Sequence, residues 1–163
     1  MLKKATIALI ASLISVASAE AGTLDLYYSD ARADNFSAVT RAGKQSAADA
    51  GYRIVNDQAC IADFQVAGTV PLKLYWSAGR QDNFTAATPE GEQAALAAGY
   101  VYIRNEGYIF ANGGPGLVPM NLYWNAARGD NFSAVLPQEN NSAMAAGYQF
   151  VRVQGYVFQG PCP

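Results

Sequence analysis

The chain writes one pattern three times, and the interval between copies is the strongest constraint on what it can fold into. Leu74-Tyr75-Trp76-Ser77 leads through a polar stretch to Arg80-Gln81-Asp82-Asn83-Phe84-Thr85. Leu26-Tyr27-Tyr28-Ser29 leads likewise to Arg32-Ala33-Asp34-Asn35-Phe36-Ser37, and Leu122-Tyr123-Trp124-Asn125 to Arg128-Gly129-Asp130-Asn131-Phe132-Ser133. Tyr27, Tyr75 and Tyr123 stand 48 residues apart, and Gly51-Tyr52, Gly99-Tyr100 and Gly147-Tyr148 keep that interval. An ungapped period over three copies implies one structural unit stacked on itself. Units of about 23–70, 71–118 and 119–163 are each too short to stabilise a core alone, so residues 20–163 are expected to form one domain.

Within a unit the pattern is legible in physical terms. Leu72, Leu74 and Trp76 alternate with Lys73 and Tyr75, the signature of a strand with two unlike faces. The Lys73 position carries Asp25 or Asn121 in the other units, which predicts a solvated face shared with Tyr27, Tyr75 and Tyr123. Residues 77–81 have hairpin-loop length, and Asn83-Phe84-Thr85-Ala86 reads as the return strand. Thr88-Pro89-Glu90-Gly91-Glu92 then opens a helix, with Thr88 as cap and the glutamates opposing the helix dipole; Gly99 is its expected stop. Tyr100 to Arg104 and Glu106 to Phe110 read as two further strands. Two hairpins with a short helix between them, three times over, predict a mainly β domain. A pseudo-threefold β-trefoil-like closure is the first expectation, with a three-sheet prism or a small propeller-like ring as alternatives.

Residues 1–19 read as a signal peptide. Lys3 and Lys4 precede an apolar run from Ala5 to Val16, and Ala17-Ser18-Ala19 offers a cleavage site. The run is too short to span a bilayer. Removing Lys3 and Lys4 from 11 basic residues leaves 9 against 13 acidic ones, a net charge of −4. With seven scattered arginines and no basic patch, neither nucleic acid nor membrane insertion is expected. The secreted chain is expected to act as a monomer. Its two cysteines, Cys60 and Cys162, are expected to pair in an oxidising compartment.

The motifs Leu72 to Tyr75, Asp82-Asn83-Phe84, Gly99-Tyr100 and Glu106-Gly107-Tyr108 together resemble a repeat domain of unknown function found in secreted bacterial and fungal proteins. The likeness runs from Leu24 to Phe158. It implies a binding or accessory role beside secreted hydrolases. Asn35, Asn83 and Asn131 stand where that family usually has histidine, so no role of that histidine carries over.

The chain has no histidine at all. That removes Ser-His and Cys-His nucleophile pairs and the common zinc sites, and no cofactor is expected. Asp82 and Glu106 could in principle form a glycosidase pair, but three near-equivalent units suit one asymmetric acid/base pair poorly. The chain therefore reads as non-enzymatic. The recurring Arg-x-Asp-Asn-Phe loop is the candidate site, comprising Arg32, Asp34 and Asn35, Arg80, Asp82 and Asn83, and Arg128, Asp130 and Asn131. One reading makes it a loop staple, with arginine paired to aspartate. The other adds Tyr27, Tyr75 and Tyr123 as platforms for a neutral sugar. Trp76 and Trp124 follow the leucine face and are expected in the core. The functional expectation is a secreted module that binds glycans weakly at up to three equivalent sites. The alternatives are a protein-binding or inhibitor module acting through Asp57 to Gln65, Asn112 to Gly116 and Gln138 to Asn141, or a structural matrix component.

Overall fold

The computed structural model describes residues 21–162, so the expected signal peptide lies outside the described residues. The fold is mainly β with three short helices. The first segment gives β1 (Ala21–Ser29), β2 (Asp34–Ala38), α1 (Arg41–Asp49) and β3 (Arg53–Ala62). The second gives β4 (Thr69–Ser77), β5 (Asp82–Ala86), α2 (Pro89–Ala97) and β6 (Val101–Phe110). The third gives β7 (Leu117–Asn125), β8 (Asp130–Ala134), α3 (Pro137–Ala145) and β9 (Gln149–Gln159).

Each segment thus has three strands and a helix, not two hairpins. The stretches expected as two strands after the helix run as one in all three segments; in β6 the chain passes Gly107 at φ 150° without breaking. Register shifts between Leu72 and Lys73 and between Leu74 and Tyr75 interrupt its ladder with β4. A side chain at 107 would also meet the Ala62 carbonyl at 2.8 Å, so glycine marks a close crossing of strands. All pairings are antiparallel. The central strand of each segment pairs with its return strand and its third strand, as Tyr75 does with Phe84 and Tyr102. The third strands also meet one another in every combination: Ala62 with Tyr108, Phe110 with Tyr156, and Cys60 with Phe158.

The core follows from these crossings. Leu24, Leu72 and Met120, all 0 % exposed, meet Ile61, Ile109 and Val157 in one central cluster. Three smaller clusters surround it, and each borrows a leucine from a neighbouring segment. Tyr27, Phe36, Ala47 and Tyr52 close over Leu74; Tyr75, Phe84, Ala95 and Tyr100 close over Leu122; Tyr123, Phe132, Ala143 and Tyr148 close over Leu26. Burying one leucine contributes about 1.5–3 kcal/mol, so these three join the segments as well as filling them.

The helices begin and end where the sequence predicts. Thr40 and Thr88 accept the N–H of Gly43 and Gly91 at 3.0 Å. Gly51, Gly99 and Gly147 take φ of 78–84° after the last turn. Each helix lies on the outer face of its hairpin through a single buried alanine, Ala47, Ala95 or Ala143. This covering corrects the expectation of a solvated face. Tyr27, Tyr75 and Tyr123 are 8 %, 3 % and 4 % exposed and cannot serve as sugar platforms. The charge change beside them is compensated instead of solvated. Asp25 meets Lys44 at 2.6 Å, Lys73 meets Glu92 at 2.7 Å, and the Asn121 amide donates to Asn140 at 2.8 Å.

Cys60 and Cys162 are bonded, with Cα atoms 4.7 Å apart, and tie the C-terminus to β3. No helix among the described residues is long and apolar enough to cross a membrane.

Candidate functional site

The repeated loops converge, and this is where the segments are joined chemically. Each return strand starts with its aspartate, opposite Ser29, Ser77 or Asn125 at the end of the preceding strand. Ala33, Gln81 and Gly129, with φ of 53°, 56° and 72°, turn the chain just before it. The turn aims the aspartate inward. Asp34, Asp82 and Asp130 are 1–2 % exposed, and one carboxylate oxygen of each lies within 4.8 Å of the others.

Each carboxyl accepts from two segments. Tyr52, Tyr100 and Tyr148 donate their hydroxyls to Asp34, Asp82 and Asp130 within the same segment. The asparagine of another segment donates twice: Asn83 to Asp34 at 3.3 and 2.9 Å, Asn131 to Asp82 at 3.1 and 2.9 Å, and Asn35 to Asp130 at 3.2 and 2.8 Å. First grips third, second grips first, and third grips second. The cycle is closed.

Electrostatics follow from the burial. Asp34 is pushed up to about 10, by removal from water and then by the neighbouring Asp82 charge. Asp130 rises to about 7 for the same reasons. The hub therefore carries a proton at neutral pH. Burial, with the adjacent carboxyl adding to it, raises the hydroxyls of Tyr52, Tyr100 and Tyr148 as well. Asp34, Asp82 and Asp130 are close enough together to ligate a cation, but tyrosine and asparagine donors already engage their oxygens.

The arginines of the motif do not pair with its aspartates. Arg32 lies 5.3 Å from the centre of the Tyr52 ring and 5.6 Å from that of Trp76; Arg80 lies 5.5 Å from Tyr100 and 5.3 Å from Trp124. Arg128 lies 5.5 Å from Tyr148. Three clefts lie one at each seam between segments, and Arg32 and Arg80 mark the rims of two of them. The first, about 320 Å³, runs between Arg32 and Tyr52 on one side and Trp76 and Arg104 on the other. The second, about 220 Å³, has Arg80, Tyr100, Trp124 and Arg152 in the corresponding places. The third, about 260 Å³, has Phe132, Tyr28 and Asn56. Trp76 and Trp124 are half-buried cleft walls, not core residues.

Of the predicted residues, the structure brings the three aspartates and three asparagines together at the hub, sets Arg32 and Arg80 at two of the clefts, and lays Arg128 over Tyr148. Tyr27, Tyr75 and Tyr123 lie away under the helices. The hub tyrosines were missed, although Gly51-Tyr52 and its copies recur at the same interval and could have raised them. Asp82 and Glu106, the carboxylates open to a glycosidase reading, are 1 % and 0 % exposed. No family model, curated protein or solved structure matches the chain.

Proposed function

We propose that this chain is a secreted, non-enzymatic binding module. It closes as a pseudo-threefold, trefoil-like ring and takes neutral carbohydrate weakly at its three seam clefts. The observation that carries this reading is the recurrence of one cleft at three seams, each walled by an indole or phenol ring beside amide or guanidinium donors. An aromatic wall with few fixed donors suits the mixed apolar and hydroxylated surface of a sugar. Three such clefts would give avidity that one shallow site lacks. Catalysis finds no support in the hub carboxyls, which are buried and engaged by tyrosine and asparagine donors.

The site therefore shifts from the loop carboxylates to Trp76, Trp124 and Tyr28, with Arg32 and Arg80 at the rims. A glycan array with the secreted chain should give neutral-sugar hits. Replacing Trp76, Trp124 and Tyr28 together by alanine should abolish them in a folded protein. Hits that persist in the triple variant would place the ligand elsewhere.

A protein-binding reading also has an observation in its favour. The outer halves of β6 and β9 expose Val101, Tyr102 and Ile103, and Phe150 and Val151, between 40 % and 57 % each. Under that reading the array would be silent, and loss of Tyr102 and Phe150 would abolish capture of a protein partner.

A further inference from the structure

We infer that the N-terminus of α2 is a binding site for a carboxylate brought by a ligand. The other two helices show what the place is built to hold. At α1 the Val39 and Thr40 N–H groups and the Thr40 hydroxyl donate to Oε2 of Glu106, at 3.0, 2.9 and 2.9 Å. Arg104 Nε holds the other oxygen of Glu106 at 2.5 Å. At α3 the Val135 and Leu136 N–H groups donate to Oε2 of Glu139 at 2.7 and 2.9 Å, and the Asn56 amide donates to its Oε1 at 2.7 Å. One carboxylate thus reaches the same first turn from the neighbouring segment or from the helix itself. Helix N-termini favour anions through these free N–H groups and the aligned peptide dipoles.

At α2 both sources are missing. Gln154 stands where the second segment has Glu106, and Gly91 stands where the third has Glu139. The Gln154 amide donates instead to the Thr85 carbonyl at 2.5 Å and the Ser133 hydroxyl at 3.1 Å. The backbone N–H groups of Ala87 and Thr88 meet no acceptor among the described residues. The cation has nevertheless been kept. Arg152 Nη1 is buried without a partner, as is Oε1 of Gln154, a side chain only 2 % exposed. A Cβ on Gly91 would lie 3.2 Å from both Arg152 Nη1 and Thr88 Oγ1, so the guanidinium sits directly on the first turn.

A buried guanidinium nitrogen without an acceptor is costly, and that guanidinium, two N–H groups and a hydroxyl together suit a carboxylate. Arg152 also lines the second seam cleft. The carboxylate belongs to a free small acid or to an acidic sugar, and acetate and glucuronate separate the two. This inference is independent of the neutral-sugar reading.

The test is ¹⁵N NMR of the secreted chain titrated with sodium acetate, and separately with sodium glucuronate, at ionic strength held constant with sodium chloride. Saturable shifts of the Ala87 and Thr88 amides are expected with acetate; shifts with glucuronate as well extend the site to acidic sugars. Gln154→Glu copies Glu106, and Gly91→Glu copies Glu139. Each should abolish the shifts by filling the site from within, and Arg152→Gln should weaken binding about tenfold. The inference is overturned if neither acid saturates these amides, if chloride alone saturates them, or if either folded glutamate variant binds acetate like the parent.

Discussion

At the scale of single residues, the buried aspartates set an unusual dependence on pH. An ordinary paired carboxylate is held below its unfolded value and stabilises the fold as pH rises. Asp34 and Asp130 do the reverse, because their folded values of about 10 and about 7 lie above the unfolded 3.8. The folded state then binds more protons than the unfolded one, and stability falls as pH rises. The contribution of these two groups is full below about pH 4 and declines through pH 7 towards 10, at up to about 1.4 kcal/mol per pH unit for each proton held. Thermal melts at pH 5 and pH 8 should show the higher midpoint at pH 5, and Asp34→Asn should shrink the difference. A pH dependence left unchanged by Asp34→Asn would mean that the hub does not hold this proton. The compensated pairs offer a second test. Lys73→Asp places two acids together and should cost about 0.5–1 kcal/mol, while adding Glu92→Lys should restore stability. A double-mutant cycle that shows no coupling would remove the pair from the account.

At the scale of elements, the loop before each return strand aims the aspartate, and its left-handed residue is the weak point. Gly129 meets the demand, whereas Ala33 and Gln81 hold φ of 53° and 56° against their side chains. Left-handed backbone costs a residue with a Cβ about 1–2 kcal/mol, part of which glycine's greater freedom in the unfolded chain offsets. Ala33→Gly and Gln81→Gly should each stabilise by about 0.5–1 kcal/mol in urea titrations, and loss of stability in either would deny the strain. Much at this scale was legible in the sequence. The strand before the loop, the return strand, the Thr88 cap and the Gly99 stop are local chemistry, and each lies where its residues predict. Tyr75 was misplaced because alternation separates two faces without saying what covers each. The hub was hidden for a deeper reason: Asn83 and Asp34 are 49 residues apart, and only the packing of one segment on another brings them together.

At the scale of the whole molecule, the chain is joined at three levels: the leucines exchanged between segments, the aspartate hub, and the disulfide. The bond from Cys60 to Cys162 encloses 102 residues of sequence separation, so its loss frees much of the unfolded chain. Cys60→Ser with Cys162→Ser should cost about 2–5 kcal/mol, read from urea midpoints. A change under about 0.5 kcal/mol would show that the other two levels already fix the C-terminus. The contacts that bury the hub carboxyls leave a cleft at every seam, and the proposed binding rests on those clefts. Isothermal titration of the folded chain with a neutral oligosaccharide selected on the array tests this most directly. Three equivalent sites per chain are expected, falling to two in Trp124→Ala with the melting transition preserved. A single site per chain, unchanged by Trp76→Ala, Trp124→Ala and Tyr28→Ala, would contradict it.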